Sequence, residues 1–425
     1  MPGTKKRVLL YSHDSFGLGH VSRCRTIANA IAEADKSVSV LIISGSPMIG
    51  SYEFRSGIDF VRVPGMVKLL NGEYDSANLR VDVGHTLEMR SRIIRDTADI
   101  YRPDLFIVDK EPLGLRGEVG PALHLLKERG TPLVLGLRDV MDDPAKLAAE
   151  WERKNVVPAL RDLYDEIWTY GLPQINDPLE GLDLAPSIRH KTVFTGYLRR
   201  ELPRHADVPH AAAETDSPYI LVTPGGGGDG VDLVDWVLSA YETDRGIPYG
   251  AVIVFGPFMA ATARDAFRDR AARLRNVRTL TFTNNLGALM ERAAGVVAMG
   301  GYNTFCEILS FNKRAVIVPR TRPRLEQFIR ARAARDAGLI EMLDAERGRE
   351  PQVMATALRQ LPQQGLPGDV VIPGLLDGLG NVWRLVARQC AHPHRRPSPL
   401  DEPATAVAAA PALATVDAPP GRARV

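Results

Sequence analysis

The sequence predicts an α/β fold with two Rossmann-like domains facing a cleft, and three observations predict it. Its 425 residues exceed what one hydrophobic core ordinarily serves. Short apolar, β-branched runs alternate with helical patterns of about 10–15 residues, as in βαβ units on a parallel sheet. The alternation breaks once, in the polar stretch Arg199–Ser217, and then starts again.

In the first domain, residues 1–198, strands are expected at Arg7–Ser12, Val38–Ile43, Asp59–Val63, Leu105–Val108, Leu133–Leu137, Glu166–Tyr170 and Thr192–Phe194. Helical patterns cover His20–Ala34, Leu87–Ile100 and Glu118–Arg129. Residues 199–217 form the linker, because they are polar, carry Pro and Ala, and lack an apolar period. The second domain, residues 218–375, repeats the pattern with strands at Tyr219–Val222, Ala251–Phe255, Val277–Phe282, Gly295–Met299 and Ala315–Val318 and a further helix at Arg324–Ala337. A closing helix lies within 376–391, and residues 392–425 are expected to be disordered. The last 25 residues hold nine Ala and four Pro and show no period.

Composition removes several function classes. With 53 Lys+Arg against 51 Asp+Glu the net charge is +2, which argues against a dedicated nucleic-acid binder. The three cysteines, Cys24, Cys306 and Cys390, contain no CxxC pair, so neither a zinc ribbon nor a thioredoxin motif is expected. Reduced thiols in a cytoplasmic protein are the simplest expectation. The apolar run at the N-terminus stops at Ser12, too short for a signal peptide, and no window is apolar enough to span a membrane.

Three glycine-bearing loops each follow a predicted strand and precede a predicted helix. They are His13-Asp-Ser-Phe-Gly-Leu-Gly-His20, Thr223-Pro-Gly-Gly-Gly-Gly-Asp-Gly230 and Met299-Gly-Gly-Tyr-Asn-Thr304. In open parallel sheets ligands bind at these carboxyl ends, and a helix start there favours a phosphate. No GxxxxGK[ST] occurs, and the first loop lacks the third glycine of a dinucleotide fingerprint, which disfavours a dehydrogenase.

Gly17-Leu-Gly-His20, the glycines 225–228, Gly300-Gly-Tyr-Asn-Thr-Phe-Cys-Glu307 and Pro319…Glu326-Gln327…Arg330 together resemble the GT-B glycosyltransferases. Most similar is the branch containing the N-acetylglucosaminyltransferase of peptidoglycan lipid synthesis. The resemblance implies a nucleotide-sugar donor bound mainly by the second domain, with no cofactor. By motif position it places the amides of Gly300, Gly301, Tyr302, Asn303 and Thr304 on the diphosphate, with Gly226, Gly227 and Gly228 beside the donor. It places Glu307 on the ribose hydroxyls, Thr283 beside the base, and Glu326 and Gln327 on the sugar. Arg200 matches a phosphate-contacting arginine, and Arg330 stands where the relative has asparagine; both suit an anionic donor.

His20 is the expected catalytic base, since an acceptor hydroxyl must lose a proton and imidazole titrates near neutral pH. His13 is the second choice in the same loop, and Asp14 is expected to orient the imidazole. Gly17 and Gly19 complete this acceptor-side loop. Asp109 and Glu111, after the strand Leu105–Val108, are second choices for base or acceptor contact. No Asp-x-Asp occurs, so metal-independent transfer assisted by helix amides and arginines is expected.

The acceptor stays open: glycan, lipid-linked sugar or small molecule. Met66–Leu70 is a candidate docking stretch for peripheral membrane contact, with a packed loop as the alternative. Gly19-His-Val-Ser-Arg-Cys24 also resembles the UDP-sugar hydrolase of pseudaminic acid synthesis, in which water is the acceptor. A 2-epimerase of the same fold and a non-catalytic nucleotide-sugar-binding protein are the remaining readings.

Overall fold

The computed structural model describes residues 5–13, 19–68, 74–202, 218–283 and 285–391. The expected linker beyond residue 202 and the expected tail from 392 therefore lie outside the described residues.

The first half carries seven parallel strands: β1 (Lys6–Ser12), β2 (Val38–Ser44), β3 (Ile58–Arg62), β6 (Leu105–Asp109), β7 (Leu133–Arg138), β8 (Glu166–Tyr170) and β9 (Thr192–Phe194). A two-stranded antiparallel hairpin, β4 (Met66–Lys68) with β5 (Tyr74–Ser76), stands apart from them. The sheet order is β3-β2-β1-β6-β7-β8-β9. The second half has six parallel strands: β10 (Tyr219–Thr223), β11 (Gly250–Val254), β12 (Val277–Leu280), β13 (Gly295–Ala298), β14 (Ala315–Ile317) and β15 (Glu341–Met342). Their order is β12-β11-β10-β13-β14-β15.

This order decides where chemistry can happen. In each sheet the chain runs outward to one side from the first strand and then returns to build the other side. The direction of winding therefore reverses between β1 and β6, and again between β10 and β13. At such a point the helices leave on opposite faces and a crevice opens at the strands' carboxyl ends. The loops after β1 and β6 meet there in one half, and those after β10 and β13 in the other.

The central strands are continuous apolar runs because both faces are covered: Leu105–Asp109 and Tyr219–Thr223 are buried throughout. Helix Gly19–Ala34 lays Val21, Cys24, Ile27, Ala28 and Ile31 on the first sheet, an apolar stripe at helical spacing. Helix Gly378–Ala391 does not stay with the second half. It buries Val382 and Val386 against the first half's core, and its Asn381 Nδ2 donates to Thr195 O at 2.7 Å.

The expected strands all occur, with ends shifted by a residue or two; β12 stops at Leu280, short of Phe282. The hairpin, the two-residue β15, and helices Pro144–Arg153, Val156–Asp162 and Pro351–Gln360 went unread. Within the Met66–Leu70 stretch Met66 is buried and Val67 exposed, while Leu69 and Leu70 lie outside the described residues. Among the described residues no helix is long and apolar enough to cross a membrane.

Candidate functional site

The two crevices face each other and enclose a cleft of about 1580 Å³. From the first half His20 and Arg138 line it; from the second, Gly226, Gly228, Thr283, Gly300–Thr304, Glu307 and Gln327 do so. Two glycines are required by backbone geometry. At Gly227 φ is +89°, and an added Cβ would lie 2.2 Å from Phe255 O. At Gly300 φ is +76°, and a Cβ would meet Ile317 Cγ2 at 2.7 Å. Helix Tyr302–Ser310 then begins at Gly301 with no side chain capping it, so its first amides point free at the cleft.

Across the cleft His20 stands in the first turn of helix Gly19–Ala34. Its Nδ1 lies 2.6 Å from Asp109 Oδ2, at the end of β6. An ionised carboxylate only accepts, so Nδ1 carries the proton and the Nε2 lone pair is left for a substrate proton. The Asp109 oxygens are also bound by Arg23, Nε to Oδ1 at 2.7 Å and Nη2 to Oδ2 at 2.6 Å. Arg23 Nη2 stands 3.1 Å from His20 Nδ1 as well. Burial would push the Asp109 carboxyl up, yet Arg23 and then His20 hold it well below the usual carboxylate range. Burial lowers His20 to about 4, against the opposing pull of Asp109 and with a further push from Arg23. The imidazole is therefore neutral, in the base form, at neutral and mildly acidic pH.

Several expectations need correction. Asp109 is no free base: both its oxygens are taken, and it orients His20, the part expected of Asp14. Asp14 and Gly17 lie outside the described residues. His13 does not line the cleft; it is buried edge-on to His20, ring centroids 5.6 Å apart, and burial lowers it to about 3. Glu111 is buried between Lys154 Nζ at 2.9 Å and Lys110 Nζ at 3.2 Å and does not line the cleft.

On the second half's side, Arg330 does not reach for a diphosphate. It is 1% exposed and grips Asp139, beyond the end of β7 in the first half, with Nη2–Oδ1 2.6 Å and Nε–Oδ2 2.8 Å. A buried guanidinium needs a buried carboxylate, and the closing of the two halves supplies one. Glu326 is likewise spoken for, by Arg138 at 2.8 Å and Arg320 at 2.9 Å. Burial would raise its carboxyl, but those two arginines hold it well below its ordinary range. Gln327 lines the cleft, with Oε1 accepting from Arg320 N at 3.2 Å. The Tyr302 ring is buried, with the guanidiniums of Arg23 and Arg330 at 5.5 and 5.7 Å from its centroid.

Glu307 has its carboxylate in the cleft and forms no side-chain hydrogen bond or ion pair among the described residues. Burial raises it to about 7, partly offset by Arg200. Arg200 crosses the seam between the halves: its Nη1 donates to Thr26 Oγ1, and its Nη2 to Asn303 Oδ1 at 2.8 Å. Asn303 Nδ2 in turn donates to Gly19 O at 3.0 Å.

Arg23, Asp139, Arg138 and Arg320 also belong to the site, and none of them is among the residues that the sequence pattern singles out. A signal existed for Arg23, three residues after His20 on one helix and so on a neighbouring position of its surface. Asp139 follows directly on β7, as Asp109 closes the adjacent β6, and both strands end at the cleft side of one parallel sheet.

Residues 220–364 match the glycosyltransferase family 28 C-terminal domain. An uncharacterized glycosyltransferase of Methanosarcina acetivorans is 21% identical over 399 residues, covering 88% of this chain and 96% of its own. Among solved structures, MurG of Acinetobacter baumannii superposes with a TM-score of 0.56 at 14% identity, over 90% of this chain and 99% of its own. LpCGTa in complex with UDP gives 0.59 at 15% identity, with the same coverage of 90% and 99%. At such identities the structural likenesses show the fold, two Rossmann-like domains in the GT-B arrangement.

Proposed function

We propose that this GT-B glycosyltransferase moves a sugar from a nucleoside diphosphate sugar, a UDP-sugar in the first instance, to an acceptor hydroxyl, with inversion and without a metal. The observation that carries the reading is the Asp109-oriented imidazole of His20, placed across the cleft from the uncapped start of helix Tyr302–Ser310.

His20 Nε2 takes the acceptor's proton as the acceptor oxygen bonds to the anomeric carbon. The bond from that carbon to the diphosphate breaks, and its electron pair leaves with the diphosphate oxygen. One displacement on one face inverts the centre. The imidazolium that forms is stabilised by Asp109, and the departing charge by the amides at Tyr302–Thr304 and by Arg200. Glu307, without a side-chain partner among the described residues, accepts from the ribose diol; Thr283 lies at the base and Gln327 at the sugar. Closure of the halves excludes water and favours transfer over hydrolysis.

The test is turnover of UDP-sugars with and without candidate acceptors, following UDP release and the anomeric configuration of the product. Release that needs an acceptor, an inverted product and a ~10²–10⁴-fold loss in His20→Ala support the reading. Free sugar formed equally well without acceptor would make the protein a nucleotide-sugar hydrolase, and tight binding with no turnover a non-catalytic binder.

A further inference from the structure

Beyond the glycine loops the cleft continues along the outward face of helix Gly19–Ala34. There Arg25, Thr26 and Asn29 line it with Tyr52 and Arg200. The Arg25 guanidinium stacks 4.4 Å over the Tyr52 ring. It makes no hydrogen bond or ion pair among the described residues, and its Nε is buried and unpartnered. Burial and the nearby Arg200 both disfavour its charged form. Arg200 spends its Nη groups on Thr26 and Asn303, and its Nε too is buried without a partner. Asn29 Oδ1, on the same helix face, is a third buried atom lacking a partner.

Two guanidiniums facing one cavity, neither in a salt bridge with a carboxylate among the described residues, are unfavourable until an anion joins them. Stacking on Tyr52 holds the Arg25 fork in place, ready for an anion's oxygens. Arg200 ties this pair to Asn303, in the first turn of the uncapped helix, where a phosphate is already favoured.

We propose that Arg25 and Arg200 form a phosphate subsite on the N-terminal side of the cleft. It rests on the reading of the cleft as a nucleoside diphosphate sugar site and extends it: phosphate is held from both halves at once. The phosphate belongs either to the donor's diphosphate or to a phosphorylated acceptor.

Calorimetric titration of the full chain with UDP, uridine and inorganic pyrophosphate tests this, comparing wild type with Arg25→Met and Arg25→Lys. Arg25→Met is expected to weaken pyrophosphate about tenfold and to leave uridine unchanged, with partial recovery in Arg25→Lys. Pyrophosphate that competes with UDP, both weakened by the substitution, marks the donor's diphosphate as occupant. Pyrophosphate that binds alongside UDP and still depends on Arg25 marks a phosphorylated acceptor. Should Arg25→Met lose its circular dichroism, Arg25→Gln carries the same comparison. Unchanged UDP and pyrophosphate affinities in the folded variant overturn the subsite and leave the donor reading intact. Arg25-dependent pyrophosphate binding in a protein that takes no nucleotide overturns the donor reading and leaves the subsite.

Discussion

Burial is the main cause that keeps His20 neutral and Arg23 adds to it, a share that replacing Arg23 with methionine makes measurable. Its Nη2 lies 3.1 Å from His20 Nδ1. At an effective dielectric of about 20, two full charges at that distance repel by roughly 5 kcal/mol. Both charges are spread over several nitrogens, so about half that figure is realistic, or on the order of 2 pH units. Losing Arg23 also leaves Asp109 to His20 alone, which favours the imidazolium and acts in the same direction. Lys110 and the neutral His13 face the ring in both proteins. With His20 lowered to about 4, the acid limb of kcat/KM is expected there in the wild type and about 2 pH units higher in Arg23→Met. At pH 5 the variant should keep about a tenth of its plateau activity, where the wild type keeps nearly all. Arg23→Lys keeps the charge and should keep the low limb. Breaking a buried pair costs about 3–5 kcal/mol, so the profile is read only below the variant's melting point. An acid limb that stays put in folded Arg23→Met would refute the tuning role and leave Arg23 a structural residue.

Three further outcomes are expected. Glu307, raised to about 7 by burial, binds a ribose diol most strongly as the acceptor-only carboxylate, so UDP-sugar affinity should rise up to about tenfold from pH 6 to 8 with proton release. Glu307→Gln should flatten that dependence in calorimetry. Because the folded pKa lies above the unfolded one, Glu307 also erodes stability as pH climbs from its ordinary value to 7, and the same variant should melt higher at pH 8. Arg330→Met should cost about 3–5 kcal/mol in urea melts by stranding Asp139, and Arg330→Met with Asp139→Leu should recover at least half of it. Excess EDTA should leave turnover unchanged; a loss restored by a divalent cation would defeat the metal-free mechanism.

Elements were legible where local pattern reports burial. β1, β2, β6 and β10 are apolar runs that only a doubly covered sheet explains, and helix Gly19–Ala34 shows its stripe directly. The short hairpin at Met66 and β15 carry too few residues for a period, and the two helices between β7 and β8 are short, ten and seven residues. In the site, the glycine loops could be found because helix starts and open turns leave a local signature, and Glu307 came from the family resemblance. Arg330 could not be placed correctly: its partner Asp139 is 191 residues away, and nothing near Arg330 announces it.

The sequence by itself determined two parallel-sheet halves, the loops that meet between them and His20 as the residue to watch. These follow from periodicity and turn chemistry, which act over a few residues. Tertiary structure alone decided which charges serve chemistry and which serve assembly. Asp109 hydrogen-bonds His20, Arg330 and Glu326 close the seam, and Arg25 is without a counter-ion among the described residues. A charge finds its role through whatever carboxylate or guanidinium the sheet order brings within about 3 Å of it, and that order is a property of the whole chain.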